Sequence, residues 1–191
     1  MAILYGENVR LRATERTDIP TFQRWINDPE VVEFLSNIFP YSLEAETAWF
    51  ESVLKRPMAE HPLVIDLRLT HGKNGKSEWL PIGNCAFMGI TDIHRSAEVG
   101  IFLGEKEYWS QGYGTEAMRL MLKFGFEDLN LHRVWLRVVE SNHRARKSYL
   151  KSGFIEEGRF RKAEFRHGFY NDIILMSILQ EEWFTNKQKE G

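Results

Sequence analysis

Gly112 and Gly114 lie one residue apart, directly before the strongest helical pattern in the chain and shortly after an apolar, strand-like run at residues 97–103. In the helical pattern, Ala117, Leu120, Met121 and Phe124 fall at i, i+3, i+4 and i+7, which is one apolar stripe. Glu116, Arg119, Lys123 and Glu127 occupy another face, at spacings that suit ion pairs along a helix. A helix start leaves backbone N–H groups without partners, at the positive end of the macrodipole. Glycines there remove Cβ atoms, so a phosphate can approach the main chain closely. The same Gly-x-Gly also serves as a plain tight turn, and short glycine motifs match by chance. Spacing excludes two other phosphate turns. No Gly-x-x-x-x-Gly-Lys-Ser/Thr run occurs, and the third glycine of a dinucleotide turn is replaced by Ala117.

The elements around this turn follow from periodicity. A second strand pattern, Arg133–Val139, comes after the helix, and strand–helix–strand of this kind predicts a parallel pair with the helix on one face. Residues 8–13 alternate as a strand. Thr17-Asp18 caps a helix over 19–27 with Pro20 in its first turn, and Ser42 caps another over 43–55. Residues 30–37 suggest a helical turn. Leu63–Leu69 and residues 79–90 read as an antiparallel hairpin, with a turn over 71–77 carrying an Asn74-Gly75 signal. A short helix spans 142–151 and stops at Gly153. A last hairpin, 154–165 with Phe169–Leu179, turns at His167-Gly168, and the polar tail from Thr185 is expected to fray.

Composition narrows the class. A chain of 191 residues suits one domain, 1–191, and buries roughly 70% of its unfolded surface without metal or disulfides. A net charge of −2 gives no support to a nucleic-acid partner. With one cysteine, Cys85, no intrachain disulfide forms, which fits a reducing compartment. Cys85 lies in an apolar run and reads as a small buried hydrophobe rather than a nucleophile. The N-terminus lacks a leader pattern and no apolar run reaches membrane-spanning length, so a cytoplasmic protein without a membrane partner is expected. His61, His71, His94, His132, His143 and His167 show no metal-ligand spacing, and no metal is expected.

Residues 97–117, 126–161 and 167–179, with weaker agreement at 8–20, resemble the GNAT superfamily of N-acyltransferases. They are most similar to its branch of ribosomal-protein N-terminal acetyltransferases and bacterial spermidine acetyltransferases. The superfamily pattern Gln/Arg-x-x-Gly-x-Gly/Ala is matched except at its first position, which holds Trp109. The resemblance implies an α+β fold, with a mixed sheet of six to seven strands, helices on both faces and a splayed parallel pair at the cofactor site. It implies acetyl-CoA as cosubstrate and direct acetyl transfer to a primary amine, either a small molecule such as a polyamine or a protein N-terminus. The alternative function is that of a non-catalytic acyl-CoA-binding sensor. The state of assembly, homodimer included, is left open.

The resemblance also assigns roles. The backbone of Ile101, Phe102 and Leu103 pairs with the pantetheine arm like an added strand, and an N–H near Ile101 meets the thioester oxygen. Gln111, Gly112, Tyr113, Gly114 and Thr115 hold the diphosphate. Asn142-x-x-Ala145-x-x-x-Tyr149 matches the family helix whose tyrosine protonates the leaving thiolate. A phenol is protonated at neutral pH and is a stronger proton source toward a thiolate than water is. Packing beneath the cofactor is the alternative role for Tyr149. Asn142 would bond the pantetheine end and Arg146 a phosphate, or Arg146 is a solvated helix arginine. A base is also needed, because a primary ammonium at pH 7 lies about three pKa units, or roughly 4 kcal/mol, from its neutral form. Glu98 on the central strand is the candidate and Glu140 its rival. A strand carboxylate paired with Arg or Lys is the plainer reading of Glu98. Glu30, Glu33, Glu44 and Glu46 lie where the family builds one wall of the acceptor site. They either attract a cationic amine or form a solvated surface.

Overall fold

The computed structural model describes residues 3–36, 39–69 and 78–190, so the turn expected over 71–77 lies outside the described residues. In chain order the elements are β1 (Leu4–Tyr5), β2 (Val9–Ala13), α1 (Ile19–Ile26), α2 (Leu43–Val53), β3 (Leu63–Leu69), β4 (Glu78–Thr91) and β5 (Ser96–Leu103). They continue with α3 (Tyr113–Lys123), β6 (Arg133–Val139), α4 (His143–Lys151), β7 (Ile155–Arg166), β8 (Phe169–Leu179) and α5 (Gln180–Glu190). One mixed sheet runs β1-β2-β3-β4-β5-β6-β8-β7. Its eight strands exceed the six to seven expected, because the two-residue β1 joins the edge of the sheet beside β2.

Alternation along the strands divides the core in two. Leu63, Ile65 and Leu67 face the larger core with Val9, Leu11, Phe87, Val99 and Leu136, where α3 inserts Ala117, Met118, Met121 and Leu122. Val64 points to the opposite face and packs with Phe22 and Trp25 of α1, with Trp49, Phe102 and Trp109 around them. Helices therefore cover both faces, as expected. Cys85 is buried and burial pushes its thiol pKa up, which suits the packing role. Pro20 sits in the first turn of α1, where its fixed φ suits the helix and no N–H is needed. Ser42 Oγ accepts from the Ala45 N–H at 3.1 Å and starts α2.

All pairs in the sheet are antiparallel except β5 with β6. These run parallel for three rungs, Ser96–Arg133, Ala97–Val134 and Glu98–Trp135, and are unpaired beyond them. The splayed pair is thus present, with its vertex at Glu98. The β7–β8 turn has both central residues at positive φ, His167 at 50° and Gly168 at 83°, the backbone of the tight hairpin that Gly168 permits. The tail differs from the expectation. Residues 185–190 continue α5 rather than fray, because Trp183 packs on Phe126 and Lys187 binds Glu127 at 2.8 Å. Residues 124–128 form a π-turn that closes α3 through a Leu129 N–H to Phe124 carbonyl bond of 3.0 Å.

Candidate active site

Where β5 and β6 part, their carboxyl ends open onto the first turn of α3. Gly112 caps that helix at φ 94°, a left-handed conformation suited to glycine, and open space lies where a Cβ would stand. No side chain caps the helix. Its first intrahelical bond is the Glu116 N–H to the Gly112 carbonyl, 3.0 Å. The amides of Tyr113, Gly114 and Thr115 thus point at open space from a bare helix start. The Gln111 side chain turns back into its own loop and donates to the Glu107 carbonyl at 2.6 Å. The part of Gln111 left for a ligand is its main chain.

Side chains fix the loop from β5 to α3. Trp109 Nε1 donates to the Leu103 carbonyl at 2.9 Å, so that carbonyl is already partnered. Trp25 Nε1 donates to Glu105 at 2.9 Å, and Arg24 pairs with the same carboxylate. Trp25 lies so flat on Gly104 that a Cβ there would come within 2.1 Å of its ring. Lys106 Nζ bridges Asp28 at 2.9 Å and Glu30 at 3.0 Å. These contacts bind the end of α1 to the loop that presents the phosphate turn.

Helix α4 forms the other wall. Asn142 caps it, its Oδ1 accepting from the Ala145 N–H at 3.1 Å. The Asn142 oxygen is therefore in use, and what it has to offer a ligand is its amide N–H₂. Thr115 Oγ1 and Ser148 Oγ lie 2.8 Å apart and join α4 to the first turn of α3. Tyr149 packs on Phe154 with ring centroids 5.9 Å apart, and its hydroxyl has no partner among the described residues. Burial pushes the phenol up to about 12. A long side chain on a helix leans toward the helix N-terminus, which here is the splay between β5 and β6.

Arg146 is engaged within its own neighbourhood. It donates to Glu156 at 2.9 Å and toward the Glu140 carbonyl at 3.4 Å. The arginine on the turn side is Arg144, whose guanidinium lies 3.7 Å from the centroid of the Trp109 ring. Sequence reasoning passed over it, and the signal available was its i, i+4 spacing to Ser148. Glu98 is held by both carboxylate oxygens, with Arg137 Nε at 2.9 Å and Arg137 Nη2 at 3.1 Å. That is the strand ion pair the sequence also allowed. Glu140 pairs with Arg159 at 2.6 Å.

A cleft of about 520 Å³ opens at the carboxyl ends of β5 and β6, lined by Glu30, Glu33, Phe34, Trp109, Asn142 and Arg144 among others. His167 holds Glu33 at 3.1 Å, and Arg166 donates to the Val32 carbonyl at 2.8 Å, so the β7–β8 turn steadies the acidic lip. Glu44 and Glu46 on α2 are not among the cleft's lining. Glu46 is buried, and burial raises its pKa. Among the described residues no group of three or more His, Cys, Asp or Glu side chains is arranged to hold a metal. Nor is any helix there long and apolar enough to cross a membrane.

A family model described as an acetyltransferase (GNAT) domain matches residues 8–155. The chain belongs to the GNAT acetyltransferase family. It is 27% identical over 186 residues to a spermidine N(1)-acetyltransferase of Escherichia coli (strain K12), covering 97% of this chain and 94% of that protein. It is 29% identical over 188 residues to an uncharacterised N-acetyltransferase, p20, of Bacillus licheniformis, covering 96% and 99%. A crystal structure of spermidine N-acetyltransferase from Vibrio cholerae, in complex with CoA and spermine, superposes with a TM-score of 0.80 at 27% identity, covering 94% of this chain and 99% of that one. Acetyl-CoA is the cosubstrate of the GNAT family. The donor set fits it: bare helix-start amides suit a diphosphate, and the β6-side edge of β5 beyond Glu98, where only β4 pairs with the strand, suits an extended amide-bearing arm.

Proposed function

We propose that this GNAT protein transfers the acetyl group of acetyl-CoA directly to a primary amine on a small cationic molecule, with polyamines the first class to try. The observation that carries the reading is the cleft beyond the carboxyl ends of β5 and β6, which Glu30 and Glu33 line together with Phe34, Trp109, Asn142 and Arg144. Glu30 and Glu33 are partnered by Lys106 and His167 at the surface, where an ammonium exchanges for those exposed partners, and Phe34 beside them accepts its methylene stem. The spermidine acetyltransferases to which the chain is similar support the same class. A protein N-terminus is the second acceptor class, and the test below separates the two.

The bound cosubstrate supplies an activated acyl thioester. The chain's residues do the rest in this proposal. Main-chain amides of residues 111–115 hold the diphosphate, and the backbone of Ile101 and Phe102 aligns the arm, with the Ile101 N–H set to meet the thioester oxygen as it gains charge. The Asn142 amide N–H₂ meets the end of the arm. Glu98, at the vertex of the splay, accepts the amine proton through a water. Arg137 occupies two of the roughly four lone-pair positions of that carboxylate and leaves the others for water. Tyr149, kept protonated by its burial, returns a proton to the leaving thiolate.

The test is thiol release from acetyl-CoA with spermidine, spermine, free lysine and peptides with unblocked N-termini, and mass spectrometry of each amine. Gain of one acetyl group on the polyamines, and not on the peptides, is the expected result. Peptide acetylation moves the acceptor to a protein N-terminus. CoA binding without thiol release for any amine leaves the sensor function in its place.

A further inference from the structure

Helix α4 carries two arginines near its start, and the structure commits them differently. Arg146 gives both terminal nitrogens to Glu156 and the Glu140 carbonyl, and its buried Nε has no partner among the described residues. Arg144 has no carboxylate within ion-pair distance among the described residues and rests instead on the Trp109 indole at 3.7 Å. Partial burial draws its pKa down, and no acid raises it back. A cation so placed is ordered and lacks a counter-charge.

Three contacts fix where this cation points. The Trp109 ring is pinned by its bond to the Leu103 carbonyl and by the Phe22 and Trp25 cluster. Trp109 stands three residues before Gly112, which opens α3 at positive φ. Ser148, one turn after Arg144 on the same face of α4, touches Thr115 in the first turn of α3. Arg144 therefore shares a face of α4 with Ser148, one turn before the contact with α3, and lines the cleft beside Trp109, three residues before the turn. Trp109 thus carries, three residues before Gly112, an arginine brought from α4.

We propose that Arg144, shelved on Trp109, is the side-chain ligand of the acetyl-CoA diphosphate, acting beside the main-chain amides of Tyr113, Gly114 and Thr115. A guanidinium forks onto phosphate oxygens and stacks on an aromatic face at once, which an ammonium does less well. The aromatic shelf holds the guanidinium in place before the ligand arrives, and the anion supplies the charge that α4 lacks there. The assignment rests on acetyl-CoA as cosubstrate and not on the identity of the acceptor.

Calorimetric titration with CoA and with 3′-dephospho-CoA tests it without turnover. Arg144→Ala is expected to weaken both ligands equally, by roughly 10- to 100-fold, as for a lost charge-assisted bond. Arg144→Lys recovers part of the loss, and Trp109→Ala, which removes the shelf, weakens both. Arg146→Ala leaves both affinities unchanged. Melting temperatures report whether any variant is merely misfolded, and the lysine variant keeps the test valid if the alanine variant is. Unchanged CoA affinity in Arg144→Ala overturns the assignment. So does a loss seen with CoA and absent with 3′-dephospho-CoA, which moves the contact to the 3′-phosphate. A wild-type chain that binds neither ligand overturns the cosubstrate itself, and is told apart by that result.

Discussion

Replacing Tyr149 by Phe removes one hydroxyl and little else. The ring remains to pack on Phe154, and the hydroxyl has no partner among the described residues, so no hydrogen bond is lost with it. Folding stability should stay within about 1 kcal/mol of wild type. The chemical step is different. If the phenol protonates the leaving thiolate, kcat falls by about 10²-fold or more, which is about 2.7 kcal/mol of transition-state stabilisation. Acetyl-CoA affinity should not move, because the diphosphate sits on other residues. The phenol also carries a stability signature. Its pKa in the fold is pushed up to about 12 by burial, against about 10 for an unfolded tyrosine. A raised pKa means that this contribution is complete below pH 10 and is lost as pH rises from 10 through 12. Wild type should lose melting temperature over that window more steeply than Tyr149→Phe. The assays are steady-state thiol release with the best acceptor and thermal melts from pH 8 to 12. A kcat within twofold of wild type refutes the acid role, and identical melting profiles refute the buried phenol.

Gly112→Ala puts a Cβ at φ 94°, at a strain of about 1–2 kcal/mol, and places it in the open space before the bare amides. Calorimetry should show CoA affinity falling by at least about 10-fold, with a small loss in melting temperature. Glu98→Gln should lower kcat/KM for the amine by roughly 10²-fold at pH 7, and the deficit should shrink as pH approaches the pKa of the amine, where no base is needed. A flat deficit across that pH profile removes Glu98 as the base. Asp66 is a purely structural case: its side chain is 2% exposed and holds Arg10 at 2.8 Å and Arg12 at 3.0 Å. Asp66→Asn breaks a buried ion network and should cost about 3–5 kcal/mol in a denaturant titration, with catalysis per folded molecule preserved.

The strand–turn–helix unit at residues 96–123 was readable because local rules agree there. The apolar stripe, the paired glycines and the crossover all point the same way, and the structure adds only the φ of Gly112. The His167-Gly168 turn and the burial of Cys85 were readable for similar local reasons. What the sequence hid was long-range. The hydrophobic spacing of α5 is poor, and its helix is held by Phe126 and Glu127 from some 60 residues earlier, which no local pattern reveals. Arg144 and Arg146 look alike in sequence. Only the packing of Ser148 on Thr115 decides which of them shares the face of α4 that meets α3, and only the neighbouring Glu156 shows that Arg146 is already engaged. Glu98 and Arg137 are 39 residues apart and meet because β5 and β6 are parallel neighbours there. The partner of Glu98 was thus not legible until the sheet was assembled.

In the proposed mechanism, bare amides at the start of α3 hold a coenzyme diphosphate while its acyl end lies in the splay between β5 and β6. A crystal structure with acetyl-CoA bound tests it most directly. Diphosphate oxygens are expected within about 3 Å of the Tyr113, Gly114 and Thr115 nitrogens, and the thioester beyond the Glu98–Trp135 rung. A coenzyme bound elsewhere, with those amides facing only solvent, contradicts it.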